Sequence, residues 1–299
     1  MKLINSLIYK ILKKCPKGIV KIFSKRYVAG FSFNETLRIC KNLNKQGFSL
    51  TLDILGEHTK TEEEAQAITD QYKKLLTTIN NENIDANISV KPSHIGHDLS
   101  IDLFEKNLIT LIKKAQEISN FIRIDMESSS LTDDTISIYR KLSDQHSNFG
   151  IVFQSYLFRT YDDIKRLDKS KLNFRLCKGI YKESESIAHQ TKKSINQNYL
   201  AILDYAISSN IYVGIATHDE DLLKESYKII RKHNADSKNF EFQGLYGVPL
   251  KSWYKKHFKN NYKVRIYVPF GDNWYDYSLR RIKENPSIAK YVIKNLFKR

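Results

Sequence analysis

Eight short apolar runs, rich in β-branched and aromatic residues, recur at intervals of about 25 to 30 residues from residue 48 onward. They are FSLTLDILG, NISVKPSHIG, FIRIDMES, GIVFQSYLF, NFRLCKGI, YVGIATHD, FEFQGLYG and KVRIYVPFG. Polar segments of helical periodicity, such as TEEEAQAITDQYKKLLTTI, separate them. Strands that alternate with helices pair in parallel, and eight such units close into a barrel. The pattern therefore predicts an α/β fold, a (β/α)8 TIM barrel.

The regions outside the strand series are predicted to be helical. Residues 1–47 form an N-terminal helical arm, with Asn34 as a candidate N-cap and Gly47 as a C-terminal stop. Residues 48–299 form the barrel domain, which ends in an amphipathic helix after Pro286.

Composition narrows the class of partner. The chain has 49 basic and 33 acidic side chains, a net charge of +16 that attracts polyanions. Because the lysines are spread along the chain, we expect no nucleic-acid partner; an anionic membrane surface and a merely solvated basic surface both remain open. The three cysteines have no paired spacing, which favours a cytoplasmic protein without disulfides or zinc.

The N-terminus, MKLINSLIYKILKKCPKG, is amphipathic. Lysines interrupt its apolar stretch, so it is not expected to be a signal peptide. Two interpretations remain open: a helix packed on the barrel, or an interfacial helix that places the protein peripherally on the inner face of the cytoplasmic membrane.

Polar residues end the predicted strands, and barrel enzymes carry their chemistry at this end. These residues are Lys91, Asp125, Gln154, Arg175, Lys178, Thr217, His218, Asp219, Gln243 and Tyr267. Charged groups inside a barrel need partners, so their convergence predicts a site for a polar, anionic ligand.

Each of these groups also has other interpretations. Asp125 could cap a helix or pair with Lys91, and Arg175 and Lys178 could be surface charges. A lysine at this position could form a Schiff base, so a barrel lyase using Lys178 stays open. His94, His97 and Asp98 have a spacing that could hold a metal. Because no third strand-borne carboxylate accompanies them, we expect no bound metal.

The stretch VRIYVPFGDNWYDYSLRRIKENP starts as a strand, turns at Gly271 and continues as a helix. Tyr277, Arg280, Arg281 and Glu284 lie on neighbouring turns of that helix. Together with IDMESSSLTDDTISIYRKL, FRLCKGIYKE, IATHDEDLL and FEFQGLYGV, this stretch resembles the bacterial monofunctional proline dehydrogenases. The resemblance runs from about Tyr27 to about residue 297 and includes TLDILGE.

The resemblance implies a distorted barrel whose last helix lies over the C-terminal mouth. It implies non-covalent FAD, oxidation of L-proline to Δ1-pyrroline-5-carboxylate by hydride transfer from C5 to flavin N5, and membrane quinone as electron acceptor. This would be the first step of proline catabolism to glutamate.

The resemblance also assigns residues to the substrate. Arg280 and Arg281, aided by Lys91, would clamp the proline carboxylate through charge-assisted hydrogen bonds. Leu245, Tyr267 and Tyr277 would pack around the ring. Asp125 would hold Lys91 or Tyr267 in place.

A second set of residues is assigned to FAD. Gln154 and Arg175 would lie along the flavin ring, and Lys178, Gly179 and Tyr181 beside the ribityl or pyrophosphate group. Thr217 and His218 would contact the adenine and ribose. The remaining members of this set are Met126, Gln243 and Glu284.

Two departures from the family pattern concern Cys177, where valine is usual, and MESSS in place of MEDSS. Cys177 could make the protein sensitive to oxidation. Tyr267 favours proline over hydroxyproline, because related hydroxyproline-oxidising enzymes have a smaller residue at that position.

Overall fold

The computed structural model describes residues 24, 28–30, 32–248, 250–275, 277 and 278. Its strands are β1 (Ser49–Ile54), β2 (Ala86–Val90), β3 (Ile122–Ile124), β4 (Phe149–Gln154), β5 (Asn173–Cys177), β6 (Tyr212–Ala216), β7 (Phe240–Leu245) and β8 (Val264–Phe270). All neighbours are parallel, in sequence order. β1 pairs with β8 from Ser49 opposite Arg265 to Ile54 opposite Phe270, which closes the barrel. The predicted (β/α)8 fold is confirmed.

Helices connect the strands and cover the barrel. They are α1 (Phe33–Lys45), α2 (Glu62–Asn81), α3 (Ile101–Glu117), α4 (Thr132–Leu142), α5 (Thr160–Lys165), α6 (Lys192–Ser208), α7 (Glu220–Lys232) and α8 (Lys251–Lys259). Short 3-10 turns follow at Pro92–Ile95, Ser129–Leu131 and Ser237–Asn239.

The start of α1 differs from the prediction. The N-cap is Ser32, whose hydroxyl accepts a hydrogen bond from the Glu35 amide, and Asn34 lies inside the first turn. The predicted stop is present, because Gly47 follows the helix with a φ of 87°, a conformation that glycine adopts without strain.

Alternate strand residues face two different environments. Apolar residues such as Leu50, Leu52 and Phe242 are buried and belong to the core, where side chains of the helices pack against them. The intervening positions carry polar groups whose hydrogen bonds join distant strands, as between Arg175 on β5 and Gln243 on β7. At Gly214 of β6 an added Cβ would lie 2.3 Å from the Gln243 amide nitrogen, so glycine leaves room for this polar interior.

Several predictions for the termini lie outside the described residues. These are most of residues 1–31 of the predicted arm 1–47, the helix after Pro286 and most of the helix expected over the mouth. Of this last helix, the structure describes Trp274, Tyr275, Tyr277 and Ser278, which are helical. The division at residue 47 therefore stays a prediction. Within the described part of the chain, no helix combines the length and apolar character needed to cross a bilayer.

Candidate active site

A cavity of about 720 Å³ opens at the carboxyl ends of the strands. This volume lies within the range of roughly 300 to 1,000 Å³ typical of ligand pockets. Because parallel strands all end on this side, residues far apart in sequence converge on its wall.

The structure brings most of the predicted site residues together in this cavity. Those assigned to substrate that line it are Lys91, Asp125, Leu245, Tyr267 and Tyr277. Those assigned to FAD that line it are Met126, Gln154, Arg175, Lys178, Gly179, Tyr181, Thr217, His218 and Gln243. Arg280, Arg281 and Glu284 lie outside the described residues. The individual roles stay predictions.

An ion pair between the buried Asp53 and the partly buried Lys91 joins β1 to the residue after β2. The Lys91 ammonium donates to Asp53 Oδ1 at 2.7 Å, whereas Asp125 Oδ2 is 3.9 Å away. The predicted pairing of Lys91 with Asp125 is therefore secondary to one with Asp53. Burial alone would lower the pKa of Lys91, but Asp53 and Asp125 raise it above its ordinary value. Burial raises the pKa of Asp53, although Lys91 opposes that shift.

Asp125 accepts hydrogen bonds from three strands. The donors are the Ser89 hydroxyl at 2.6 Å, the Arg175 guanidinium at 2.8 Å and the Tyr267 hydroxyl at 2.8 Å. Burial alone would raise the pKa of Asp125, but Arg175 and Lys91 lower it overall. The predicted role of Asp125 in holding Tyr267 agrees with this geometry.

Two further contacts, besides the bond to Asp125, orient Arg175. Its Nε donates to Gln243 Oε1 at 2.8 Å, and its guanidinium lies 4.9 Å from the centre of the Tyr267 ring. It is 7% exposed, so the interpretation of Arg175 as a surface charge is wrong.

The opposite wall contains a second ion pair. Lys178 Nζ donates to Asp219 Oδ2 at 2.6 Å. Burial alone would raise the pKa of Asp219, but Lys178, Asn196 and Lys192 lower it well below the usual range. His218 Nε2 accepts a hydrogen bond from the Leu245 amide at 2.9 Å, which joins the loop after β6 to the end of β7.

Gln154 and Gly179 give this wall two features of a ligand cradle. The Gln154 amide nitrogen donates to the Met126 carbonyl at 3.1 Å, but its buried carbonyl oxygen has no hydrogen-bond partner among the described residues. Gly179 has a φ of 104°, and an added Cβ would lie 2.1 Å from the Tyr156 ring. Only glycine fits there.

His94 and His97, which the sequence offered as metal ligands, contact different groups. His94 packs against Gly56 and has a buried Nδ1 without a described partner, whereas His97 Nε2 lies 3.0 Å from Asp134.

Cys177 is not set up to react as a thiolate. Burial raises the pKa of the Cys177 thiol to about 11, which disfavours the reactive thiolate and opposes the expected oxidation sensitivity.

Sequence reasoning missed Asp53, the nearest carboxylate to Lys91. The available signal was a charged residue inside TLDILG, an otherwise apolar run that had to be a barrel strand. Glu127 was also missed: its buried carboxylate accepts from the Ser93 amide at 2.8 Å and hydroxyl at 2.6 Å. These bonds tie the loop after β3 to the loop after β2.

Comparison with known proteins supplies the family. A family model described as proline dehydrogenase matches residues 36–294. Proline dehydrogenase 1 of Bacillus subtilis (strain 168) is 33% identical over 291 residues, which cover 97% of this chain and 96% of that protein. Proline dehydrogenase of Deinococcus radiodurans is 32% identical over 280 residues, 92% of this chain and 90% of that protein.

A solved structure agrees with this match. Proline utilization A (PutA) from Bdellovibrio bacteriovorus, inactivated by N-propargylglycine, has a TM-score of 0.81 and 26% identity. The match covers 88% of this chain but only 32% of that chain, so the present chain spans about a third of the PutA length.

The closed barrel, with paired charges around a cavity at its carboxyl end, defines a TIM-barrel protein with an enzyme-like site. Within that class, the family match and the identities over nearly the whole length are decisive. The chain belongs to the proline dehydrogenase family.

Proposed function

We propose that this protein oxidises L-proline to Δ1-pyrroline-5-carboxylate with non-covalently bound FAD and passes the electrons to membrane quinone. The observation that carries the proposal is the convergence of fourteen family-assigned residues on one cavity. Family membership points to the reaction, and the charges and ring-packing groups of the cavity suit a small zwitterion.

The cavity wall fits FAD. The Gln154 oxygen, which has no partner among the residues that the structure describes, can accept a hydrogen bond from an N–H group. Arg175 and Lys178 suit an electron-rich ring and a pyrophosphate. The loop at Gly179 allows close backbone approach. When bound, FAD would accept the hydride that leaves C5 of proline.

The residues of the chain would position the substrate and exclude water. The Lys91 ammonium would attract the carboxylate, while Leu245, Tyr267 and Tyr277 would pack against the ring. Asp125, through its bonds to Tyr267 and Arg175, would keep both groups in place before substrate arrives. Positioning is therefore the main contribution of the protein.

The substrate amine must lose its proton before its nitrogen lone pair can assist hydride loss. We therefore expect activity to rise with pH as the free amine becomes more abundant.

The alternative of a Schiff-base lyase is not favoured. The nitrogen of its lysine, Lys178, donates a hydrogen bond to Asp219 at 2.6 Å, whereas a Schiff-base lysine needs its nitrogen free to attack a carbonyl carbon. A lyase would also leave the second wall of the cavity, with Gln154 and Gly179, without a ligand to bind.

Steady-state turnover tests the proposed reaction. Purified protein supplied with FAD should reduce a soluble dye on addition of L-proline and release a product that forms an adduct with an aromatic amino-aldehyde, as cyclic imines do. D-proline is the matched control, since its carboxylate would lie on the wrong face. Equal rates with both enantiomers, or dye reduction without the imine, would contradict the proposal.

A further inference from the structure

We propose that Asp53 is the positioning residue that holds Lys91 in place, as an ammonium ion, for the substrate carboxylate. The inference rests on the proposed oxidation of L-proline, in which Lys91 contacts that carboxylate. It assigns a role to Asp53, a cavity-lining residue that was not among the predicted site residues.

The geometry places Asp53 as a fixed anchor. Asp53 lies on β1 and Lys91 directly follows β2, its neighbour in the barrel, so the two backbones hold the pair at a set separation. The Lys91 Nζ to Asp53 Oδ1 distance is 2.7 Å. The Asp53 side chain is 2% exposed and the Lys91 side chain 13%, so water competes little with the hydrogen bond between them.

Other charged and titratable groups face Lys91 less directly. Asp125, directly after β3, is 3.9 Å away and already accepts hydrogen bonds from Ser89, Arg175 and Tyr267. Glu57, after β1, acts on Lys91 at longer range. Glu127, after β3, is bonded to Ser93, and His94 lies in the turn that follows Lys91. Asp53 is thus the carboxylate whose hydrogen bond fixes the ammonium.

Removing the Asp53 charge has a predictable effect on Lys91. Burial lowers the pKa of the ammonium, and Asp53 is the first of the carboxylates that raise it again. Buried lysines without a close partner can have pKa values as low as about 5 to 6. In Asp53→Asn, Lys91 should therefore lose its proton within an accessible pH range and stop attracting a carboxylate.

The test is the pH dependence of binding of tetrahydrofuran-2-carboxylate, a proline analogue with a ring oxygen in place of NH. Calorimetry on the FAD-loaded protein would cover about pH 6 to about pH 9. In Asp53→Asn we expect affinity to fall on the order of 10- to 100-fold as pH rises, the size of one lost charge-assisted hydrogen bond. Wild type should lack this fall, because its Lys91 stays charged.

Three further variants serve as controls. The single variant Asp53→Asn leaves the Lys91 cation less well paired and can fold poorly. The double variant Asp53→Asn with Lys91→Met removes both charges and should bind the analogue weakly at every pH. Asp53→Glu keeps the charge and should restore a flat pH profile. Asp163→Asn removes a buried carboxylate paired with Arg159 at 2.6 Å on α5, away from the cavity, and should bind as wild type does.

Two outcomes would overturn the inference: unchanged analogue affinity in Asp53→Asn at every pH, or a uniform loss with no dependence on pH. Failure of the proposed function would look different. If wild type bound the analogue but did not oxidise L-proline, the reaction would be wrong while the variants still tested Asp53. If wild type bound no analogue, the role of Lys91 would be wrong, and that of Asp53 with it.

Discussion

Single buried carboxylates organise this site. Asp125 links β2, β3, β5 and β8 through Ser89, Arg175 and Tyr267, so one side chain sets the relation of four strands. Such a group affects stability as well as function, because its loss removes a hydrogen-bond partner from the buried Ser89 and Arg175 side chains.

We predict that Asp125→Ala lowers the free energy of unfolding by about 3 to 5 kcal/mol, since it leaves the buried Arg175 guanidinium without its carboxylate partner. Urea denaturation followed by circular dichroism would measure it. The matched control is Asp133→Ala, which breaks an exposed pair with Arg159 and should cost no more than about 1 kcal/mol. Equal losses in the two variants would contradict the structural role of Asp125.

A second prediction concerns Tyr267, whose ring lines the cavity and whose hydroxyl donates to Asp125. Tyr267→Ser should raise the ratio of kcat/KM for hydroxyproline to that for proline, because it opens space beside the substrate ring. Tyr267→Phe keeps the ring and loses the hydroxyl, so it should leave the ratio low. An unchanged ratio in Tyr267→Ser would refute this assignment.

At the level of elements, the strand series was predictable because a barrel strand buried on its outer side has to be apolar. Element ends were harder: β3 has only three residues, and α1 is capped by Ser32 instead of Asn34. Ser, Thr, Asn and Asp are nearly equivalent caps, so sequence alone cannot choose between neighbours of these types.

The site was predictable as a set of strand-end residues, but its pairing was not. Which carboxylate meets Lys91 depends on the stagger of β1 against β2, and no local pattern in either strand encodes that stagger. Asp53 was missed for this reason. The resemblance supplied the roles, and the structure supplied the contacts.

The turn after β2 gives a pH prediction. Burial lowers the pKa of His94 to about 3, whereas an unfolded histidine titrates near pH 6.5. Between these values the unfolded chain binds more protons, so stability is full above about pH 6.5 and falls as pH decreases. The loss from pH 7 to pH 5 is roughly 2 kcal/mol, at about 1.4 kcal/mol per pH unit.

Denaturant unfolding at about pH 7 and about pH 5 would measure this loss of unfolding free energy. His94→Asn should remove that part of the acid sensitivity, whereas His146→Asn, a substitution at a partly exposed position, should retain it. An equal pH dependence in wild type and His94→Asn would contradict the assignment.

At the level of the whole molecule, several of the described helices carry acidic residues in the first turn or basic residues in the last turn. Helices that start near the cavity have acidic first turns, as in α2 and α7, while α4 and α7 end in basic residues. Each arrangement complements the helix dipole.

The proposed quinone acceptor implies contact with a membrane, and the amphipathic segment at the N-terminus is the candidate. Deletion of residues 1–14 should weaken binding to anionic vesicles and leave turnover with a soluble dye unchanged. Vesicle sedimentation, with neutral vesicles as control, would measure it. Undiminished binding would rule out this segment as the anchor.

The most direct measurement is the visible absorption spectrum of the purified protein before and after anaerobic addition of L-proline. We predict flavin bands that bleach with L-proline and persist with D-proline, since only the natural enantiomer presents its carboxylate and C5 together. Bands that persist with L-proline would contradict the assigned substrate. Absence of flavin bands even after incubation with FAD would contradict the flavoenzyme itself.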